Sequence, residues 1–160
     1  MTQYSEWLEV LEADLRAGKD RLDNIDELFQ VTFLGTVEEK AQAVWCIAKM
    51  GQNKVHDRRI LDLLIPLSGD ADPSVRESVA WGIGESAGAG LHDERSVETL
   101  STLLGDAEPL VRGMAAWAVG RLRNKLGIID PGMDASLEAM LGDNSAYVRK
   151  SAAFGLGREA

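Results

Sequence analysis

Three stretches of this chain align without a gap: "GDADPSVRESVAWGIGE", "GDAEPLVRGMAAWAVGR" and "GDNSAYVRKSAAFGLGR". Their aromatic residues, Trp81, Trp117 and Phe154, stand 36 and 37 residues apart, and a further step of 36 back from Trp81 reaches Trp45 in "TVEEKAQAVWCIAKMG". Two more columns keep this spacing: the basic residues Lys40, Arg76, Arg112 and Arg149, and upstream Leu28, Leu64, Leu100 and Leu137. A chain with such a period is built from copies of one small unit, and no copy can bury its apolar face alone. The units must therefore stack, with a core that runs from each into the next.

Each unit reads as two helices. The second, B, begins at Thr36, Asp72, Glu108 or Ser145. Thr36, Asp72 and Ser145 are good N-caps because a side-chain oxygen can accept from the free amides of the first turn, and Glu108 is a weaker choice. Thr36 and Glu39 have capping-box spacing, and Pro73 and Pro109 fall at the first helical position, where proline costs no hydrogen bond. The first helix, A, starts near Asn24, Asp57, Asp93 and Asp130 and carries apolar residues at helical spacing, such as Leu100, Leu103 and Leu104. "GESAGAGLHD" and "NKLGIIDPG" break the helices between units. Residues 5–17 add an amphipathic helix with Trp7, Leu8, Leu11 and Leu15 on one side, expected to cap the first repeat. The expected domain is single: a cap over 1–20 and repeats over approximately 21–52, 53–88, 89–125 and 126–160.

The pattern D-x-x-P-x-V-R-x-x-A-A-x-x-x-G resembles HEAT repeats of the phycobilisome-lyase (PBS lyase) type, over about residues 22–160. The resemblance implies an all-α, right-handed α-solenoid of about four helix pairs whose B helices line a concave surface. It also implies that Asp70 and Arg76, Asp106 and Arg112, and Asp143 and Arg149 form a ladder tying one repeat to the next. The first copy has Leu34 and Lys40 instead, so the ladder is expected to be weak there. Gly84, Gly120 and Gly157 are expected to end the B helices, with Ala48 in the remaining copy.

At about 100° per residue, Val75, Val79, Ile83 and Gly82 share the face turned to helix A, and Trp81 points roughly the opposite way. Trp45, Trp81, Trp117 and Phe154 should therefore form a row along the outer side of the stacked B helices. They are flanked by Ala41 and Gln42, Glu77 and Ser78, Gly113 and Met114, and Lys150 and Ser151. Exposed apolar rows mark interaction sites, and tryptophan is enriched among interface hot spots. The expected partner-binding set is Trp45, Trp81, Trp117, Phe154, Glu77, Leu110, Met114, Tyr147 and Lys150. The alternative place for the rings is between adjacent B helices, as inter-repeat contacts. On the groove reading no cavity forms within a repeat, so removing a ring is expected to cost little stability. The last repeat carries no polar capping unit, so another copy or a partner is expected to cover its flank near Ala153.

Catalytic chemistry is hard to place. His56 and His92 share a column and each precedes an aspartate, but Asp57 and Asp93 are already expected to cap helix A, and no metal site is assigned. Cys46, the single cysteine, occupies a small packed column with Gly82 and Ala118 and reads as a buried, inert thiol. "GESAGAG" lacks the Lys-Ser/Thr pair of a phosphate-binding loop, and no cofactor is implied. The formal charge of -9 opposes nucleic acid and anionic membranes. A basic column of Lys49, Arg121 and Arg158 is interrupted by Glu85. No apolar run is long enough to span a bilayer, and no signal-type N-terminus is present; the expected location is cytoplasmic. The expected function is a non-enzymatic adaptor, assembly factor or scaffold for a protein or peptide. A bilin lyase-like chromophore chaperone and a nucleic-acid-binding protein are the alternatives.

Overall fold

A computed structural model describes residues 4–158. Among these residues there are helices and no strands. Helix α1 (Ser5–Arg16) precedes four pairs: α2 (Ile25–Leu34) with α3 (Val37–Gln52), α4 (Arg59–Leu64) with α5 (Pro73–Gly88), α6 (Arg95–Leu104) with α7 (Pro109–Leu126), and α8 (Pro131–Met140) with α9 (Ala146–Gly155). Each A helix packs on its own B helix, and α1 packs on α3, burying Leu8, Leu11 and Leu15 completely. The most extensive contacts run between successive B helices, α3 to α5 to α7 to α9. The chain is an α-solenoid.

Local chemistry starts and stops the helices as their sequences dictate. Thr36 and Glu39 close a capping box on α3, while Asp72 and Ser145 accept from the Ser74 and Val148 amides. Glu108 makes no side-chain cap. Asp57 and Asp93 accept from the Arg59 and Arg95 amides at 2.9 and 2.8 Å, just ahead of α4 and α6. Helix α4 is short and tightens into a 3₁₀ turn over Ile65–Leu67, where Pro66 lacks the amide that would continue the α-helical ladder. Gly127, at φ 68°, ends α7 and lets the Ile128 amide reach the Leu122 carbonyl at 3.2 Å.

The B helices approach closely because their facing columns are small. Contrary to the expectation from sequence, Gly84 and Gly120 do not end their helices; they lie inside α5 and α7. A β-carbon at Gly84 would sit 2.6 Å from the Trp117 ring and 3.0 Å from the Ala118 α-carbon, and one at Gly120 would sit 2.5 Å from the Phe154 ring. Each glycine is the seat of the next repeat's aromatic ring. Only Gly157 lies beyond its helix, at φ 76°.

Charged rungs tie the same edge of the stack. Arg76 donates to both Asp106 carboxylate oxygens at 2.7 and 3.1 Å and to the Asp70 carbonyl at 2.7 Å. Arg112 repeats this with both Asp143 oxygens at 3.1 Å and with the Asp106 carbonyl at 2.9 Å. Each aspartate side chain also accepts from the amide two residues on, at Asp72, Glu108 and Ser145. Arginine thus holds its own repeat through a backbone carbonyl and the next through a carboxylate, a geometry that suits its planar fork. Arg149 donates to the Asp143 and Asn144 carbonyls of its own repeat. The first rung is present but reduced: Lys40 reaches Asp70 at 2.5 Å through a single bond, where each arginine makes two bonds to its carboxylate. An ammonium suffices to bridge forward even where Leu34 has replaced the aspartate behind it.

Candidate functional site

The outer side of α3, α5 and α7 brings most of the expected partner-binding residues together. Trp45 and Trp81 stack with ring centroids 5.8 Å apart and planes inclined by 30°. With Glu77, Ser78 and Met114 they line a hollow of about 220 Å³. A second hollow of about 130 Å³ adjoins it across Glu77, bounded by Pro73, Ser74, Glu108, Leu110 and Val111. Leu110 is 61% exposed and Tyr147 39% exposed, large apolar surfaces on the same run of helices. The Tyr147 ring lies against Gly113, and burial, with a smaller contribution from the Glu77 charge, pushes its phenol above the ordinary range. Phe154 is half-buried further along, beside Asn124, Gly157 and Arg158, and Lys150 is exposed.

The rings do not stand free. Trp45, Trp81 and Trp117 are half-buried and pack against the core, and Trp117 and Phe154 rest in the glycine seats of the preceding B helix. One side of each ring closes the joint between repeats while another remains open to solvent. This corrects the expectation that their loss would cost little stability: truncation leaves a cavity between repeats rather than within one.

Two rings carry cations supplied by the chain. The Arg16 guanidinium lies 4.4 Å from the Trp45 ring centre and that of Arg121 lies 5.4 Å from Trp117. Arg121 also pairs with Glu85 at 3.4 Å, Lys49 bonds Gln52, and Arg158 pairs with Glu138. The basic column is therefore occupied within the molecule. Burial pushes the Glu77 carboxyl above the usual carboxylate range.

The histidine column does not converge. His56 is exposed, with Nδ1 2.9 Å from the Ala89 carbonyl, and the buried Nδ1 of His92 has no hydrogen-bond partner among the described residues. Asp57 pairs with Arg59, and Asp93 pairs with Arg58 and Arg95. Among the described residues no group of three or more His, Cys, Asp or Glu side chains could hold a metal ion. Cys46 is fully buried, and burial, with a contribution from the Glu12 charge, pushes its thiol up to about 12. Among the described residues no helix is long and apolar enough to cross a membrane.

One surface was missed from sequence. Phe29 and Phe33 meet edge to face at 4.9 Å, and Phe33, Leu34 and Val37 are 70, 70 and 62% exposed. The signal was present in the repeat alignment: Phe33 and Leu34 stand where the other copies have Gly-Asp, at Gly69 and Asp70, Gly105 and Asp106, and Gly142 and Asp143.

Stacked helix pairs presenting half-buried rings along successive B helices define a repeat scaffold. The family model of HEAT repeats matches residues 61–157, and the chain belongs to the HEAT-repeat family. HEAT repeats are in general protein-interaction scaffolds. No curated protein matches the chain.

Proposed function

We propose that this protein is a non-enzymatic adaptor, assembly factor or scaffold that grips a protein or peptide on the outer face of its B helices. The observation that carries this reading is the joined pair of hollows around Glu77, walled by Trp45, Trp81 and Met114 on one side and Leu110 on the other. Half-buried aromatics flanked by exposed apolar side chains match the anchor-and-rim anatomy of protein interfaces. The repeat pattern supports a PBS lyase-type subfamily, in which a bilin would be the alternative cargo. The hollow beside Trp81, at about 220 Å³, is smaller than a usual small-molecule site of about 300–1,000 Å³ and favours a partner's side chain. The sequence's acidic balance and the paired state of Arg121 and Arg158 favour protein over nucleic acid.

Affinity capture from the native cell extract tests the reading. The expected result is a protein retained by the wild type and lost from Leu110→Glu, a substitution at an exposed position that leaves the core intact. A protein retained by Leu110→Glu but lost from Phe33→Glu would place the interface on the other surface and overturn the proposal.

A further inference from the structure

Trp81 differs from its neighbours in the charges around it. Arg16 covers Trp45 and Arg121 covers Trp117, but among the described residues no cation lies over Trp81. One turn before it stands Glu77 and one turn after it Glu85, both acids. Glu85 is committed to Arg121 at 3.4 Å. Glu77 is half-buried between the two hollows and, among the described residues, has no hydrogen bond or ion pair. A carboxylate withdrawn from water without a counter-ion is a cost to the fold.

The neighbouring repeat shows what such a site accepts. There Arg121 lies over the Trp117 ring and pairs with the Glu85 carboxylate at the same time. Trp81 and Glu77 offer the same two groups, a π-face and a carboxylate, around an open hollow. We propose that the hollow between Trp45, Trp81, Met114 and Glu77 receives an arginine side chain from an extended, basic segment of a protein partner. The guanidinium stacks on Trp81 and pairs with Glu77. Arginine suits the site better than lysine because it is planar, weakly hydrated and able to stack and pair together, and both cations that the chain places on its own tryptophans are arginines. The net charge of -9 favours approach of a basic segment. This inference rests on the reading of the B-helix face as a protein-binding surface and assigns that surface a chemistry.

The test is titration of a Gly/Ser peptide carrying spaced arginines into the full chain at low ionic strength, followed by tryptophan fluorescence and calorimetry. Matched peptides carry lysine or glutamine in place of arginine. Glu77→Gln is compared with Glu98→Gln, which makes the same charge change at an exposed position on α6. Thermal melts verify folding, and Glu77→Gln is expected to melt at or above the wild-type temperature at neutral pH because it removes a desolvated charge. The arginine peptide is expected to bind more tightly than the lysine peptide and to perturb the tryptophan emission, with no binding of the glutamine peptide. Glu77→Gln is expected to weaken arginine-peptide binding roughly fivefold or more relative to Glu98→Gln. Equal affinity for the two variants, no binding of the arginine peptide, or equal binding of the glutamine peptide would overturn the proposal. If the extract still yields a partner that depends on Leu110, the binding face stands and only the arginine pocket falls.

Discussion

Gly84→Ala isolates the joint between repeats. An added β-carbon would meet the Trp117 ring at 2.6 Å and the Ala118 α-carbon at 3.0 Å, where ordinary contacts between carbon atoms begin at about 3.5 Å. Helices α5 and α7 must therefore separate by a few tenths of an ångström or more, and the backbone atom on the far side cannot swing away as a flexible side chain could. Such overpacking costs about 1–3 kcal/mol, against a helix-propensity gain of about 1 kcal/mol for replacing glycine by alanine. The net expectation is a loss of up to about 2 kcal/mol. Gly69→Ala is the matched control: a β-carbon there meets nothing within 4 Å and its φ is not positive. It is expected to be neutral or to stabilise by about 0.4–1 kcal/mol through the unfolded chain. In a Trp117→Ala background the penalty at Gly84 should shrink but not vanish, since Ala118 remains. Urea unfolding followed by far-UV circular dichroism compares the wild type with these four variants, Gly84→Ala, Gly69→Ala, Trp117→Ala and the Trp117→Ala/Gly84→Ala double. A Gly84→Ala protein more stable than the wild type would refute the glycine seat.

Other outcomes follow from the rungs and the buried thiol. Arg112→Lys cannot reproduce the two bonds to Asp143 and those to the Asp106 and Ala107 carbonyls; a loss of about 1–2 kcal/mol is expected in urea titrations. Burial works against the charged forms of Asp70 and Asp106, but hydrogen bonds from Lys40 and Arg76 outweigh it and hold both carboxyls below the usual range, as Arg112 does for Asp143. Depressed carboxyls contribute stability that is complete above the unfolded value of about 3.9 and is lost as pH falls through the folded values. The stability difference between wild type and Arg76→Gln should therefore be constant from neutral pH down to about pH 5 and shrink below about pH 4. Cys46 should resist iodoacetamide in the native protein and react only as the chain unfolds, so that its labelling rate tracks urea concentration rather than reagent access.

The repeat spacing made the helix pairs legible because stacking units must preserve the residues that face one another. Thr36, Asp72 and Ser145 announced their helices through capping chemistry that acts within a few residues. Gly84 and Gly120 were misread because their reason lies in another repeat: a glycine at the same column can stop a helix or admit a ring, and local sequence looks alike in both cases. The ladder across repeats was legible in the Asp and Arg columns, but the forward reach of Lys40 to Asp70 was not, because its partner lies in the next repeat and Leu34 breaks the local pattern. The helical wheel separated Trp81 from the buried Val75, Val79 and Ile83 but could not show that the neighbouring B helices come close enough to half-bury the rings. Phe33 and Leu34 were visible as departures from Gly-Asp, yet a departure carries no exposure until the turn between α2 and α3 is built.

Hydroxyl-radical footprinting with the captured partner tests the central claim most directly, because aromatic and sulfur side chains on both surfaces report in one experiment. Trp81, Met114 and Tyr147 read the B-helix face, and Phe29 and Phe33 read the apolar surface of α2. The account predicts that partner binding suppresses oxidation of Trp81, Met114 and Tyr147 and leaves Phe29 and Phe33 unchanged. Protection of Phe29 and Phe33 with undiminished oxidation of Trp81, Met114 and Tyr147 would contradict it.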